Sequence, residues 1–145
     1  MSVLLVPVDL SESSALVCEH AASLAVRLRK MAVLLCVLEN EEAYNKLMAP
    51  DRSTSPEATA HAAALDQLRD CFTRRCVAVD TAFRTGPVVL TILAEAEQRR
   101  AELIVVGSHG RGALHSLLVG STTAGLIRQS AKPLVVVPHG AATPA

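Results

Sequence analysis

The sequence predicts an α/β fold, a single doubly wound domain built on a five-stranded parallel sheet with helices on both faces. Three observations predict it. Short runs that are aliphatic at every position recur along the chain, helical patterns separate them, and a glycine-rich turn follows one of them directly. With 145 residues the chain is long enough for one ordinary domain and too short for two. A domain of this size buries roughly 70% of the surface its unfolded chain exposes, so no disulfide or metal staple is required.

Residues 3–6, 32–38, 103–106 and 134–137 are the aliphatic runs. Strands covered on both faces read this way, whereas half-solvated strands alternate. Residues 77–83 carry Asp80 and Thr81, a mixed pattern that fits an edge strand. After the first run, Val17, Ala21, Leu24, Ala25 and Leu28 form an apolar stripe, with Glu19, Ser23, Arg27 and Lys30 opposite. Ser11, Ser13 or Ser14 can cap this helix by accepting from its unpaired N–H groups. A second helix is expected from about Pro56, well placed in a first turn, towards Cys76. A third follows Gly86-Pro87, with Val88, Val89, Ile92, Leu93 and Ala96 on one face. A fourth begins near Ser121, with Ala124, Ile127 and Ala131 inward and Arg128 outward. Strands alternating with helices through right-handed crossovers give the doubly wound sheet. Residues 39–55, with Pro50 and mixed polar residues, read as a long loop. Residues 139–145 read as a flexible tail behind a domain spanning 1–138.

Composition narrows the function. Apolar residues make up 50% of the chain, yet only Phe72, Phe83 and Tyr44 are aromatic, so the core must be aliphatic. Net charge is zero, and nothing global favours nucleic acid or an anionic membrane. The first residues lack the basic lead-in and cleavage site of a signal peptide, and no run of about 18 apolar residues exists to span a bilayer. Cys18, Cys36, Cys71 and Cys76 show no zinc-type pairing and read as buried reduced thiols. A cytoplasmic protein is expected.

The chemistry concentrates in Gly107-Ser108-His109-Gly110-Arg111-Gly112, directly after the run 103–106, and in Gly120-Ser121-Thr122 at a helix start. Glycines let backbone N–H groups approach a phosphate where a Cβ would obstruct. A helix start adds unpaired donors and the positive end of its dipole, worth roughly 0.3–1 kcal/mol per favourable charge contact. Ser121 and Thr122 add hydroxyls. Residues 113–119 form a short apolar connector that can fold back and bring the two donor clusters together. The order G-x-x-G-x-G is not the dinucleotide fingerprint, and Val119 stands two residues before Ser121 with no P-loop lysine between. Pro7-Val8-Asp9-Leu10-Ser11 follows the first run. In an open doubly wound sheet, ligands lie beyond the strand carboxyl ends where the winding reverses. With an order of 3-2-1-4-5, that reversal falls between the strands ending near Asp9 and Gly107. Asp9 can then accept from a ribose hydroxyl or hold a phosphate-bridging Mg²⁺, or it can be an ordinary helix cap.

Val6-Pro7-Val8-Asp9-Leu10-Ser11, together with Gly107-x2-Gly110-x9-Gly120-Ser121, resembles the universal stress protein family in its nucleotide-binding branch. The resemblance covers essentially the whole chain, including the closing Ala131-Lys132-Pro133-Leu134-Val135-Val136-Val137-Pro138. It implies a sheet of order 3-2-1-4-5, an ATP site (or AMP or ADP) and a dimer. Carried over by position, Asp9 resembles the carboxylate at the ribose and phosphates, and Val37 the residue that meets adenine. Val106 and Gly107 resemble the floor beneath the nucleotide, and Gly110, Arg111, Gly120, Ser121 and Thr122 the phosphate-binding segment. Gly86 and Pro87 are adjacent where many members have an intervening residue.

Ser108 can donate to its own loop, and His109, with no nucleophile beside it in the sequence, reads as a loop residue. Arg111 can pair with a phosphate or stay solvated. The last run, 134–137, would be an apolar sheet edge in a monomer, and pairing with a second copy across a two-fold axis removes that hazard. The leading expectation is a nucleotide-binding regulator or sensor whose occupancy changes the surface shown to a protein partner. The rivals are a slow ATP hydrolase, for which only Asp9, Arg111 and backbone donors can be named, and a nucleotide-free interaction protein.

Overall fold

The structure, a computed structural model, describes residues 2–51, 55–109 and 119–145. Five strands, β1 (Val3–Val8), β2 (Met31–Leu38), β3 (Val79–Thr85), β4 (Ala101–Gly107) and β5 (Leu134–Val137), form one sheet of order β3-β2-β1-β4-β5. Every pairing is parallel. The five helices are α1 (Ser14–Leu28), α2 (Glu41–Met48), α3 (Pro56–Thr73), α4 (Val88–Gln98) and α5 (Ser121–Gln129). The doubly wound domain read from the sequence is therefore present, with all five expected strands.

The aliphatic runs are continuous because both faces of the sheet are covered. Leu4, Val6 and Val8 point into one layer with α1 and α3, where Phe72 and Leu65 pack. Val3 and Leu5 point into the other with Ile92, Ala96 and Leu126 of α4 and α5. Both layers are mainly aliphatic; the exceptions lie in the first, where Phe72 is fully buried, Cys18, Cys36 and Cys71 are buried beside it, and Phe83 packs at the margin.

Four expectations need correction. Residues 39–55 are not one long loop, since they contain α2. Asn40 caps it by accepting from the Ala43 N–H at 3.1 Å, Glu41 and Glu42 occupy its first turn, and Glu42 pairs with Lys46 one turn on. The helix from Pro56 stops at Thr73, before Cys76, which is exposed and takes a left-handed φ of 59°. On α5, Thr123, Gly125 and Leu126 face inward while Ile127 is 54% exposed and Ala131 is also exposed. On α1, Leu28 is exposed, and Ser23, expected opposite the stripe, is buried.

The α5 orientation has a physical cause. The Thr123 hydroxyl donates to the Gly107 carbonyl at 2.7 Å, and a Cβ on Gly125 would stand 2.8 Å from Val89. A buried hydrogen bond and a close helix–helix approach fix the face that points inward, and apolar count does not. Gly86, before α4, takes φ +138°, a conformation glycine alone adopts readily. Residues 139–145 lie along the domain: the His139 N–H donates to Ser108 Oγ, His20 Nε2 meets the Ala142 carbonyl at 2.7 Å, and Arg75 donates to the Ala145 carbonyl.

Candidate functional site

A cleft of about 580 Å³ opens at the carboxyl ends of the strands, where β1 and β4 part. Crossovers leave β1 towards one face of the sheet and β4 towards the other, so no helix fills the gap between them. Pro7, Val8, Asp9, Val37, Val106, Gly107, His109, Gly120, Ser121 and Thr122 all line it. Segments more than 100 residues apart in sequence thus meet at one opening. Gly110, Arg111 and residues 113–118 of the connector lie outside the described residues.

The Asp9 turn is held by serines. Asp9 Oδ1 accepts from the Ser11 N–H at 3.0 Å and the Ser14 hydroxyl at 3.3 Å. This is an Asx turn, in which a short carboxylate replaces a backbone acceptor two residues away. Leu10, inside the turn, takes a left-handed φ of 62°, uncommon for a non-glycine residue. The capping expected of the serines is not made: Ser13 stands at the cap position of α1 without a side-chain capping bond. Its hydroxyl instead donates to the His109 carbonyl at 3.2 Å, and so links the β1 turn to the β4 turn. Asp9 is accordingly not the cap residue of α1.

The β4 side is a backbone structure. Ser108 does not line the cleft. It anchors the turn, with its N–H donating to the Val137 carbonyl at 2.9 Å and its carbonyl accepting from Gly120 at 2.6 Å. The Gly120 amide is therefore committed within the protein. The amides that follow it, of Ser121, Thr122 and Thr123, open α5, and among the described residues no side chain caps that end. They are the donors that the first turn of a helix leaves without an intrahelical partner. A Cβ on Gly107 would approach Val17 of α1 to 3.0 Å, so this glycine serves a close helix–strand contact as well as the turn.

Charge in the cleft is uneven. Asp9, Glu39 and Glu57 stand among the described lining residues, and no lysine or arginine does. An anion seated there is held, among the described residues, by amides, hydroxyls and the α5 dipole. No cluster of three His, Cys, Asp or Glu side chains suited to a metal exists among the described residues. Asp9 offers a carboxylate, which fits Mg²⁺ only in the mode where phosphates and waters complete the shell.

A second wall was missed in the sequence. Glu39, Asn40 and Ala43 before and within α2, Glu57 and His61 of α3, and Val88 and Ile92 of α4 also line the cleft. Glu57 and His61 are four apart, the spacing that stacks side chains on one helix face. That spacing was visible, but nothing in sequence aims the face at the cleft.

The four cysteines form no disulfide, and three are buried. Burial pushes the Cys18 thiol well above its ordinary range. Burial, and then the hydrogen bond to Glu19, push Cys71 up to about 11. No described helix is long and apolar enough to cross a membrane.

The model of the universal stress protein family matches residues 1–138. Universal stress protein Sll1654 of Synechocystis is 30% identical over 135 residues, covering 93% of this chain and 84% of that protein. The solved structure of protein MJ0577, of Methanocaldococcus jannaschii, superposes with a TM-score of 0.79 at 22% identity, covering 97% of this chain and 98% of that one. A universal stress protein from Archaeoglobus fulgidus, solved in complex with dAMP, gives a TM-score of 0.71 at 16% identity over 94% of this chain and 98% of its own.

Proposed function

The chain belongs to the universal stress protein family, and from that premise we propose that it binds an adenine nucleotide, ATP before AMP or ADP, as a cytoplasmic stress-response sensor. In this reading the phosphates lie against the amides that open α5, joined by Gly110 and Arg111. The base lies between Val37 and Val106, read by backbone groups, and Asp9 takes a ribose hydroxyl or a phosphate-bound Mg²⁺. Occupancy alters the surface offered to a protein partner. A second copy pairs along β5, the apolar edge strand.

One observation carries the reading: the Asp9 turn and the uncapped start of α5 open onto a single cleft at the point where the winding reverses. The dAMP of the Archaeoglobus neighbour supports the ligand class. For phosphoryl transfer only Asp9, Arg111 and backbone donors can be named, too few groups for rapid hydrolysis. Slow turnover, at most, accompanies binding.

Calorimetry and thermal melts with ATP, ADP and AMP test this, together with mass spectrometry of any nucleotide retained on purification. Gly120→Val gives the sharper arm. Gly120 takes φ −72° and ψ 168°, extended backbone open to any residue, so the fold is expected to survive. The branched side chain at the mouth of the cradle is expected to abolish the rise in melting temperature that ATP gives the unmodified protein. An equal rise in the variant rules out the cradle, and no heat with any adenine nucleotide rules out the function.

A further inference from the structure

The imidazole of His61 has two unlike nitrogens. Nδ1 is buried and has no hydrogen-bond partner. Nε2 is not sealed in this way and has no hydrogen-bond partner among the described residues, while the residue as a whole is half-buried in the cleft wall. A neutral imidazole carries one N–H, and a buried N–H with no acceptor forfeits a hydrogen bond it makes in water. The proton therefore belongs on Nε2, and the ring presents the cleft with a single donor of fixed tautomer.

The wall around it decides what that donor meets. Glu39 and Glu57 line the same wall, and their carboxylates repel a phosphate tail. The opposite wall holds the α5 amides and the positive dipole end, where a phosphate is favoured. A nucleotide spanning the cleft thus turns its uncharged end towards α3. The acceptors that a purine presents at that end are its ring nitrogens.

Resting on the nucleotide reading above, we propose that His61 is a base-recognition residue, its Nε2–H donating to a ring nitrogen of the purine. The apolar contacts of Val37 and Val106 do not distinguish one flat ring from another, so this donor adds a selective contact to the backbone groups that read the base. Recognition through this donor also explains why a half-buried histidine stands in a wall that alanine and leucine could fill.

The test titrates ATP and its 1-deaza, 3-deaza and 7-deaza analogues into the unmodified protein, His61→Phe and His61→Gln. Phenylalanine keeps the volume without a donor, and glutamine keeps an N–H. One analogue is expected to bind the unmodified protein about tenfold more weakly than ATP, the scale of a single lost hydrogen bond. His61→Phe should weaken ATP by a similar factor and erase the penalty for that same analogue, while His61→Gln restores much of both. Nitrogen-15 spectra should show the proton on Nε2, with its resonance moving when ATP is added. If ATP binds His61→Phe as tightly as the unmodified protein and every analogue penalty persists, the proposal is overturned while nucleotide binding stands. If the unmodified protein binds no purine nucleotide, both readings fall together.

Discussion

The two walls of the cleft are built by opposite means. On the β4–α5 side the linking bonds end on main-chain carbonyls: the Gly120 N–H donates to Ser108, and the hydroxyls of Thr123 and Ser13 donate to Gly107 and His109. On the α2–α3 side, side chains face the opening, and the wall stands because Leu65, Leu68 and Phe72 anchor α3 in the core. A wall made of amides and carbonyls suits any phosphate, whatever base it carries. A wall made of side chains is free to vary and to discriminate. If the proposed nucleotide binds there, the contrast places affinity and selectivity on different elements, which can be disturbed separately.

The largest separation should come from Phe72→Ala. Phe72 is fully buried and is the bulkiest of the fully buried side chains. Truncating it removes the anchor of α3 and leaves a cavity, with an expected loss of about 3–5 kcal/mol in urea denaturation. Because α5 packs in the opposite layer, through Leu126, hydrogen exchange should show α3 losing protection before α5. Simultaneous loss of both helices would show that the walls are not independent.

The same contrast governs what could be read from sequence. The strands were legible because burial on both faces writes an unbroken aliphatic run, as in Leu4, Leu5 and Val6, all fully buried. The β4–α5 wall was legible because its signal is local: glycines after a strand, then glycine and hydroxyls at a helix start. The α2–α3 wall is tertiary. Residues 39–55 mix charge with short apolar side chains, the pattern of a loop, although Asn40 followed by Glu41 and Glu42 is a helix-start signal. Helix α2 survives because Leu47 is fully buried, which periodicity over eight residues reports weakly. The Ser13 bond to the His109 carbonyl depends on what the end of β4 presents nearby, and neither it nor the left-handed turn at Leu10 is encoded by a local pattern.

A smaller effect is expected from Thr123→Val, which keeps shape and burial but removes the hydroxyl. Thr123 is 4% exposed, and its bond to Gly107 ties the start of α5 to the end of β4. Losing it leaves the Gly107 carbonyl short of a partner and should cost about 1–2 kcal/mol in urea denaturation. The global loss is thus well below that of Phe72→Ala, yet the change falls on the cradle. The rise in melting temperature with ATP should shrink in Thr123→Val by more than its stability loss accounts for. An undiminished rise would place the affinity elsewhere than in this wall.

The smallest effect concerns acid, and it separates the two walls by charge. Glu19 of α1 bonds Arg74 at 2.7 Å and Arg75 at 3.3 Å, beyond the last turn of α3. Burial alone would raise its carboxyl, but the Cys71 thiol and Arg75 as hydrogen-bond donors, with the charges of Arg74 and Arg75, hold it below the ordinary carboxylate value of 4.5. A depressed folded value means that the unfolded chain takes up the proton first. The stabilisation is complete above the ordinary carboxylate range and is lost as pH falls through the lower, folded value. Arg74 is largely exposed, so solvent screening limits the contribution to a few tenths of a kcal/mol up to about 1 kcal/mol. The neutral hydrogen bonds of the α5 wall have no counterpart to this titration. Stability measured from pH 6 down to pH 3 should therefore fall less steeply in Glu19→Gln than in the unmodified protein. The difference should show as earlier loss of amide protection near the end of α3, with α5 unaffected. Equal slopes in the two proteins would show that the α1–α3 contact rests on apolar packing alone.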